Sequence, residues 1–334
     1  MMNSSGNKSE EYPPVAKDHI KKKFDFLPWA LVLPAVLYLL IINIYPLIYV
    51  FGLSFTLYPL ASTAPPRFIG LTNFGSVLVN GRFWDSLKVT LWFSFFNVIV
   101  QVVLGFGVAM LLNNLRRGRQ FITTLLLLPM MIAPAVVAFI WKMIYNPYWG
   151  PLNYIIFQLV GKKGPSWASD PILALPALLV ADIWQWTPFT VILLLAGLQS
   201  LPRSVYEAAY IDGSSSWQVF KNITLPLMYP FVYLAFILRV IDSFKIFDFI
   251  YIITKGGPGT VTENLAWFTY ETGFVGFDIG WASALSIIQL IIIIIVAQFA
   301  LKALGRPKTQ VDIAISKADA STPVVATPDL AQGG

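Results

Sequence analysis

The sequence predicts an all-α, polytopic membrane protein with six membrane-spanning helices and both termini on the cytoplasmic side. Three observations carry this expectation. Only 12% of the 334 residues are charged and 57% are hydrophobic, whereas soluble domains carry about 25% charged residues. Six apolar runs reach the length of about 20 residues that crosses a bilayer. Lysine and arginine divide unevenly between the two sets of connecting segments, which orients the chain.

The apolar runs cover residues 29–55, 87–112, 121–145, 172–198, 225–253 and 279–304. Most contain proline: Pro34 and Pro46, Pro129 and Pro134, Pro176 and Pro188, Pro226 and Pro230. Proline removes a helical hydrogen bond, but neighbouring helices re-satisfy the freed carbonyls in a membrane bundle. The runs are therefore expected to be continuous but kinked helices. The N-terminal tail, the second-to-third loop, the fourth-to-fifth loop and the C-terminal end together hold fourteen Lys and Arg, against seven on the other side. The richer side is cytoplasmic by the positive-inside rule.

A polar tail of more than twenty residues precedes the first run, which is too long for the apolar region of a signal peptide. The domain expectation is a cytoplasmic tail at 1–27, a six-span domain at 28–304 and a cytoplasmic, disordered tail at 305–334. Cysteine is absent and the single histidine, His19, lies in the N-terminal tail, so no disulfide framework or metal cluster is expected. The net charge of +6 reflects cationic cytoplasmic loops rather than nucleic-acid binding. No GxxxxGK[ST] phosphate loop occurs, so this chain is not expected to bind ATP in the usual way.

Between the fourth and fifth runs lies "EAAYIDGSSSWQVFKNITLP", residues 207–226. Pro202 suits a first helical turn, and Ser204-x-x-Glu207 fits a capping box. Ala208 and Ala209 are small enough for another surface to approach closely. Gly213 accepts the left-handed dihedrals that end a helix. A second short helix is expected around 217–222. Such a helical elbow on the membrane face is either a docking surface for a cytoplasmic partner or an interfacial loop at rest.

Glu207-Ala208-Ala209, three residues, Gly213, nine residues and then Ile223-x-Leu225-Pro226 resembles the EAA signature of ABC-importer permeases. Four segments resemble the carbohydrate-uptake, MalF-type branch of that family: "PRFIGLTNF" (66–74), "LLLLPMMIAPAVVAFIWKMIYNPYWGPLN" (125–153), "LAGLQSLPRSVYEAAYIDG" (195–213) and "FKIFDFIYIITKGGPGTVTENLAWFTYETGF" (244–274). The resemblance covers residues 27–304 and implies the MalF/MetI-like type-I importer permease fold in its compact six-span form. It also implies a coupling loop at 199–226. There Glu207 makes polar contacts with an ATPase, Ala208 and Ala209 sit in its groove, Gly213 forms the turn, and Asp212 belongs to the motif. The segment "TKGGPGT" (254–260) would be an outward-facing loop that meets a solute-binding protein.

Ionisable residues inside spans are functional candidates. The fifth run holds Arg239, Asp242, Lys245 and Asp248. On one helix, Arg239 would stand about 20 Å and Asp248 about 33 Å from Pro226. Arg239 with Asp242 and Lys245 with Asp248 have the i, i+3 spacing of ion pairs. Arg239 and Asp242 are expected to face a cavity rather than lipid. In the fourth run, Asp182, Trp186 and Phe189 share one helical face. Carboxylates that accept hydroxyl hydrogen bonds beside flat aromatic faces form a sugar site in physical terms. Trp184 or Trp186 could instead serve as an interfacial anchor. The resemblance adds Gln185, Ser243 and Ile246 to Asp182, Trp186, Phe189 and Arg239 as lining positions. Arg239 either recognises an acidic group on the solute or neutralises Asp182 and Asp242.

The resemblance implies a permease subunit of an ATP-driven, binding-protein-dependent importer of a sugar, oligosaccharide or polyol in the bacterial inner membrane. A permease for glycerol phosphate or another anionic polyhydroxy solute is the alternative. Implied partners are a second, MalG-type permease, a dimer of cytoplasmic ATPases that bind ATP and Mg, a periplasmic or lipid-anchored solute-binding protein, and membrane lipid. No catalytic residue and no cofactor is expected in this chain. An integral-membrane enzyme built on Asp182, Asp242 and Asp248 lacks supporting histidine or metal-ligand clusters in the spans. A secondary transporter would be expected to show inverted repeats, and none is evident.

Overall fold

A computed structural model describes residues 26–61, 65–115 and 117–303. His19, residues 1–25 of the predicted N-terminal tail and the whole of the predicted C-terminal tail lie outside the described residues. The first apolar run is α1 (Phe26–Leu39) and α2 (Tyr45–Leu53), joined by a wider, π-type stretch at Leu40–Ile44. Its spanning part is Ala30–Leu53, and its side chains are exposed from Leu31 to Tyr49. The widened turn immediately precedes Tyr45-Pro46. A proline ring collides with the carbonyl four residues back, and an extra residue per turn relieves that clash. The same device recurs at Phe220–Thr224, just before Leu225-Pro226.

A short antiparallel pair, β1 (Thr56–Leu57) and β2 (Arg67–Phe68), follows, with Thr56 opposite Phe68. The Asn73 side-chain amide donates to the carbonyls of Ser54 (3.0 Å) and Thr56 (2.8 Å) and ties α3 (Thr72–Val79) to that pair. The second span is α4 (Gly81–Asn114), longer at both ends than its apolar run. Asn80 starts it: its side-chain oxygen accepts from the Arg82 N–H at 2.9 Å, satisfying an otherwise orphaned helix donor.

The third run is not one helix. It is α5 (Arg119–Met131) and α6 (Pro134–Ile144), bent by 92° across Ile132 and Ala133. Pro134 is the cause on the chain itself, because the residue before a proline is pushed out of the α region. Ala133 accordingly has ψ 135°. A short helix, α7 (Pro151–Val160), comes before the fourth span, α8 (Ala174–Ser200).

The elbow is α9 (Arg203–Ile211) and α10 (Ser216–Val219), with Gly213 at φ 76° between them. The predicted capping box at Ser204 and Glu207 is absent: α9 begins after Pro202 with no side-chain cap. The box is formed instead by Ser215 and Gln218, which cap α10 reciprocally. The second elbow helix does not stop at residue 222. It runs through the π-type stretch into α11 (Leu225–Ser243).

The fifth run is also shorter than expected. α11 ends at Ser243, and the chain turns before a separate helical segment that includes a π-type stretch at Ile250–Thr254. The released Ile246 carbonyl is satisfied by the Asn264 side-chain amide at 2.6 Å. α12 (Leu265–Tyr270) and α13 (Ile279–Ala303) complete the described chain. Among the described residues, five helical runs are long and apolar enough to cross a membrane, and the bent α5–α6 pair makes six.

The centre of the bundle is the α4–α8 contact, against which α11 packs. Ala109 and Leu112 of α4 meet Val191, Leu194 and Leu198 of α8, with Met228 and Ala235 of α11. Lipid is as apolar as leucine, so such helices associate through close packing and small residues. Gly105 shows this directly: a Cβ there would lie 2.6 Å from the Thr190 methyl carbon.

Candidate functional site

The α4–α8–α11 contact encloses a buried polar cluster. Asp182 of α8 accepts at Oδ2 from the amides of Asn97 (2.7 Å) and Gln101 (2.9 Å), both on α4. The same oxygen faces the Arg239 guanidinium of α11 at 3.4 Å. Asn97 and Gln101 are four residues apart, so they share one face of α4, and Gln101 also donates to Asn97 Oδ1 at 2.7 Å. Ser243 lies 3.4 Å from the Asn97 amide. Arg239 is only 2% exposed. Its other terminal nitrogen lies 3.7 Å from Asp242, which Lys245 also approaches at 3.5 Å. Charges placed this deep require partners, and the guanidinium has one carboxylate on each side.

Trp186 stands over Arg239, with the guanidinium carbon 5.7 Å from the ring centre, within the range of cation–π attraction. Asp182, Trp186, Arg239, Asp242, Lys245, Ile246 and Asp248 line a cavity of about 260 Å³, to which Pro134, the first residue of α6, also contributes. The bend is braced from this region. Gln185 donates to the Ile132 carbonyl at 2.9 Å, a group that the break in the helix leaves without a helical partner. Three buried polar atoms around the cluster have no partner among the described residues: Arg239 Nε, Gln101 Oε1 and Gln185 Oε1.

Of the residues singled out from sequence, Asp182, Trp186, Arg239, Asp242 and Ile246 converge on the cavity. Gln185 is turned to the bend, Ser243 to Asn97, and Phe189, half-buried, is not among the lining residues. Trp184 is 43% exposed and packs edge-on against Trp141. The pairing of Lys245 with Asp248 is corrected: Lys245 pairs with Asp242, because α11 has already ended. The extrapolated 33 Å height of Asp248 on one straight helix falls with it. Asn97 and Gln101 escaped sequence reading, although two amides at i, i+4 spacing in an apolar run are a readable signal.

At the opposite end of α11, Glu207, Ala208, Asp212 and Gly213 are exposed on the elbow. Ala209 is buried within this chain, so of the two alanines only Ala208 presents itself outward. Beyond α11, the segment 254–264 is tied down by its own polar contacts. The Thr262 hydroxyl lies 2.8 Å from both Thr254 Oγ1 and the Gly257 carbonyl. Glu263, 2% exposed, accepts from Arg82 (2.6 Å) and Ser86 (2.8 Å) at the start of α4, and Arg82 also pairs with Glu271.

A family model described as "binding-protein-dependent transport system inner membrane component" matches residues 101–309, which take in the elbow and, apart from Asn97, the residues of this cluster. The chain belongs to that family. It is thus a transport component of the inner membrane rather than an enzyme. This permease is 37% identical over 269 residues to the trehalose/maltose transport system permease protein MalF of Thermococcus litoralis, covering 80% of this chain and 90% of the relative. It is 32% identical to the sn-glycerol-3-phosphate transport system permease protein UgpA of Agrobacterium fabrum, over 82% and 92% of the two chains. Its fold is that of a chain in the crystal structure of a bacterial alginate ABC transporter in complex with an alginate pentasaccharide-bound periplasmic protein. That match has a TM-score of 0.72 at 23% identity, covering 83% of this permease and 93% of the solved chain.

Proposed function

We propose that this permease forms part of the translocation path of an ATP-driven importer for an uncharged sugar, oligosaccharide or polyol. The cavity lined by Asp182, Trp186, Arg239 and Asp242 is the observation that carries this reading. It offers fixed carboxylate acceptors, a guanidinium donor whose Nε is unused, and an aromatic face for C–H surfaces. A polyhydroxy solute both donates and accepts hydrogen bonds and suits that set. The similarity to the trehalose/maltose permease supports it.

The similarity to the glycerol-phosphate permease favours an anionic solute instead, but the charges favour a neutral one. The cavity is lined by three carboxylates, of Asp182, Asp242 and Asp248, and two cations, Arg239 and Lys245. Arg239 already lies between two acids. A phosphate would have to displace one of them from a buried guanidinium. Solute-stimulated ATP hydrolysis across a panel of neutral and phosphorylated polyols tests the choice. Stimulation by neutral members supports this reading, and stimulation confined to phosphorylated members overturns it.

The elbow is the proposed coupling element at 199–226. Glu207, Ala208, Asp212 and Gly213 face outward for an ATPase dimer, while Ala209 keeps the elbow close to the bundle. Both termini are assigned to the cytoplasm by the Lys and Arg distribution. A second permease chain completes the path, and a solute-binding protein docks at the other face, near 254–260. ATP binding by the ATPases favours one state of the bundle over the other, a population shift driven by differential binding.

A further inference from the structure

A second cavity, of about 660 Å³, lies between the elbow and the ends of α4, α5 and α8. It belongs to neither the solute cavity nor the outward face of Glu207. Arg119 and Arg203 line it, together with Asn113, Asn114 and Tyr210. No Asp or Glu is among its lining residues. Neither arginine has a carboxylate within ion-pair distance among the described residues.

The two arginines are the first residues of α5 and α9, and neither helix has a side-chain cap at its start. Free N–H groups and the positive ends of two helix dipoles therefore lie beside the guanidiniums, opposed by the carbonyl ends of α4 and α8, whose last turns line the same cavity. Helix starts of this kind favour anions. Guanidinium forks suit tetrahedral oxyanions, which they bind bidentately. The surrounding amides and phenol add donors of the same kind. The volume falls in the range of small-molecule sites, about 300–1,000 Å³.

We propose that this cavity binds a phosphate-class anion, either the headgroup of an anionic phospholipid or a free phosphate, held between the elbow and the bundle. An occupant touching Arg119 and Arg203 at once would join the bundle end to the element proposed to receive force from the ATPases. The binding claim itself does not depend on that role.

The absence of cysteine permits a direct test. Gln199 lines the cavity, so Gln199→Cys in the full chain takes a single environment-sensitive dye. The labelled protein is placed in nanodiscs of phosphatidylcholine alone or with phosphatidylglycerol, and inorganic phosphate is titrated at constant ionic strength set with chloride. A saturable dye response is expected in phosphatidylcholine, weakened about tenfold or more by Arg119→Gln or Arg203→Gln. A response already saturated in phosphatidylglycerol discs identifies the headgroup as the occupant, and equal responses in both discs identify free phosphate. No saturable response in either disc, or a response unchanged in Arg119→Gln/Arg203→Gln, overturns the proposal. Both arginines are exposed, so the variants are expected to fold, which thermal unfolding checks.

Discussion

Asp182 and Arg239 meet at 3.4 Å across two different spans, each almost wholly buried. Fifty-seven residues separate them, with the entire elbow in between. The pair thus joins the helix that enters the elbow to the helix that leaves it.

Removing one partner of a buried pair leaves an uncompensated charge and costs about 3–5 kcal/mol. Arg239→Gln alone is expected to lower the thermal unfolding midpoint clearly. Asp182→Asn added to it is expected to recover part of the loss, because the amide can still accept from Asn97 and Gln101. A double-mutant cycle in detergent checks this. Strictly additive losses would show that the two groups are not coupled.

The α4–α8 approach at Gly105 gives a second prediction. Gly105→Ala brings a methyl to 2.6 Å from Thr190 Cγ2, an overpacking of a kind that costs about 1–3 kcal/mol. Thr190→Ala removes that carbon but keeps the Cβ, at 2.9 Å, so it is expected to restore part of the stability. Unfolding midpoints of the two single variants and the double variant decide. No rescue would place the strain elsewhere.

Gln185 braces the broken span, and its loss leaves the Ile132 carbonyl without its donor. A buried group left unsatisfied costs about 1–3 kcal/mol. Gln185→Leu is expected to lower the maximal uptake rate more than the apparent solute affinity, because it touches the bend and not the cavity wall. Uptake kinetics over a range of solute concentrations check this. A pure affinity change would make Gln185 a solute contact instead.

Most of the fold was legible because a bilayer imposes one simple demand, about 20 apolar residues per span. The ionisable members of the cluster were legible for the same reason: Asp182 and Arg239 are conspicuous in apolar runs. Distant contacts were not. The end of α11 depends on Asn264 reaching the Ile246 carbonyl, and burial of Glu263 depends on Arg82, 181 residues away. Pro129 and Pro134 flagged a kink, but the 92° bend between them also relies on Gln185 from another helix. Ala209 read as an outward docking residue because its small size suits close packing equally well against a partner or against its own bundle.

The elbow carries a fourth prediction. Glu207→Ala is expected to weaken co-purification of the ATPase and to abolish uptake, while this permease still assembles with its partner permease. Pull-down and uptake on the same preparations check both. Normal transport by the variant would remove Glu207 from the coupling surface.

The most direct measurement is ATP-dependent uptake into proteoliposomes holding this chain with its partner permease, ATPase and solute-binding protein. A neutral sugar is compared there with its phosphorylated form, with and without Asp182→Ala. The account predicts uptake of the neutral solute that needs the ATPase and is lost in the assembled Asp182→Ala complex. Uptake without the ATPase, preference for the phosphorylated form, or unchanged uptake by Asp182→Ala would contradict it.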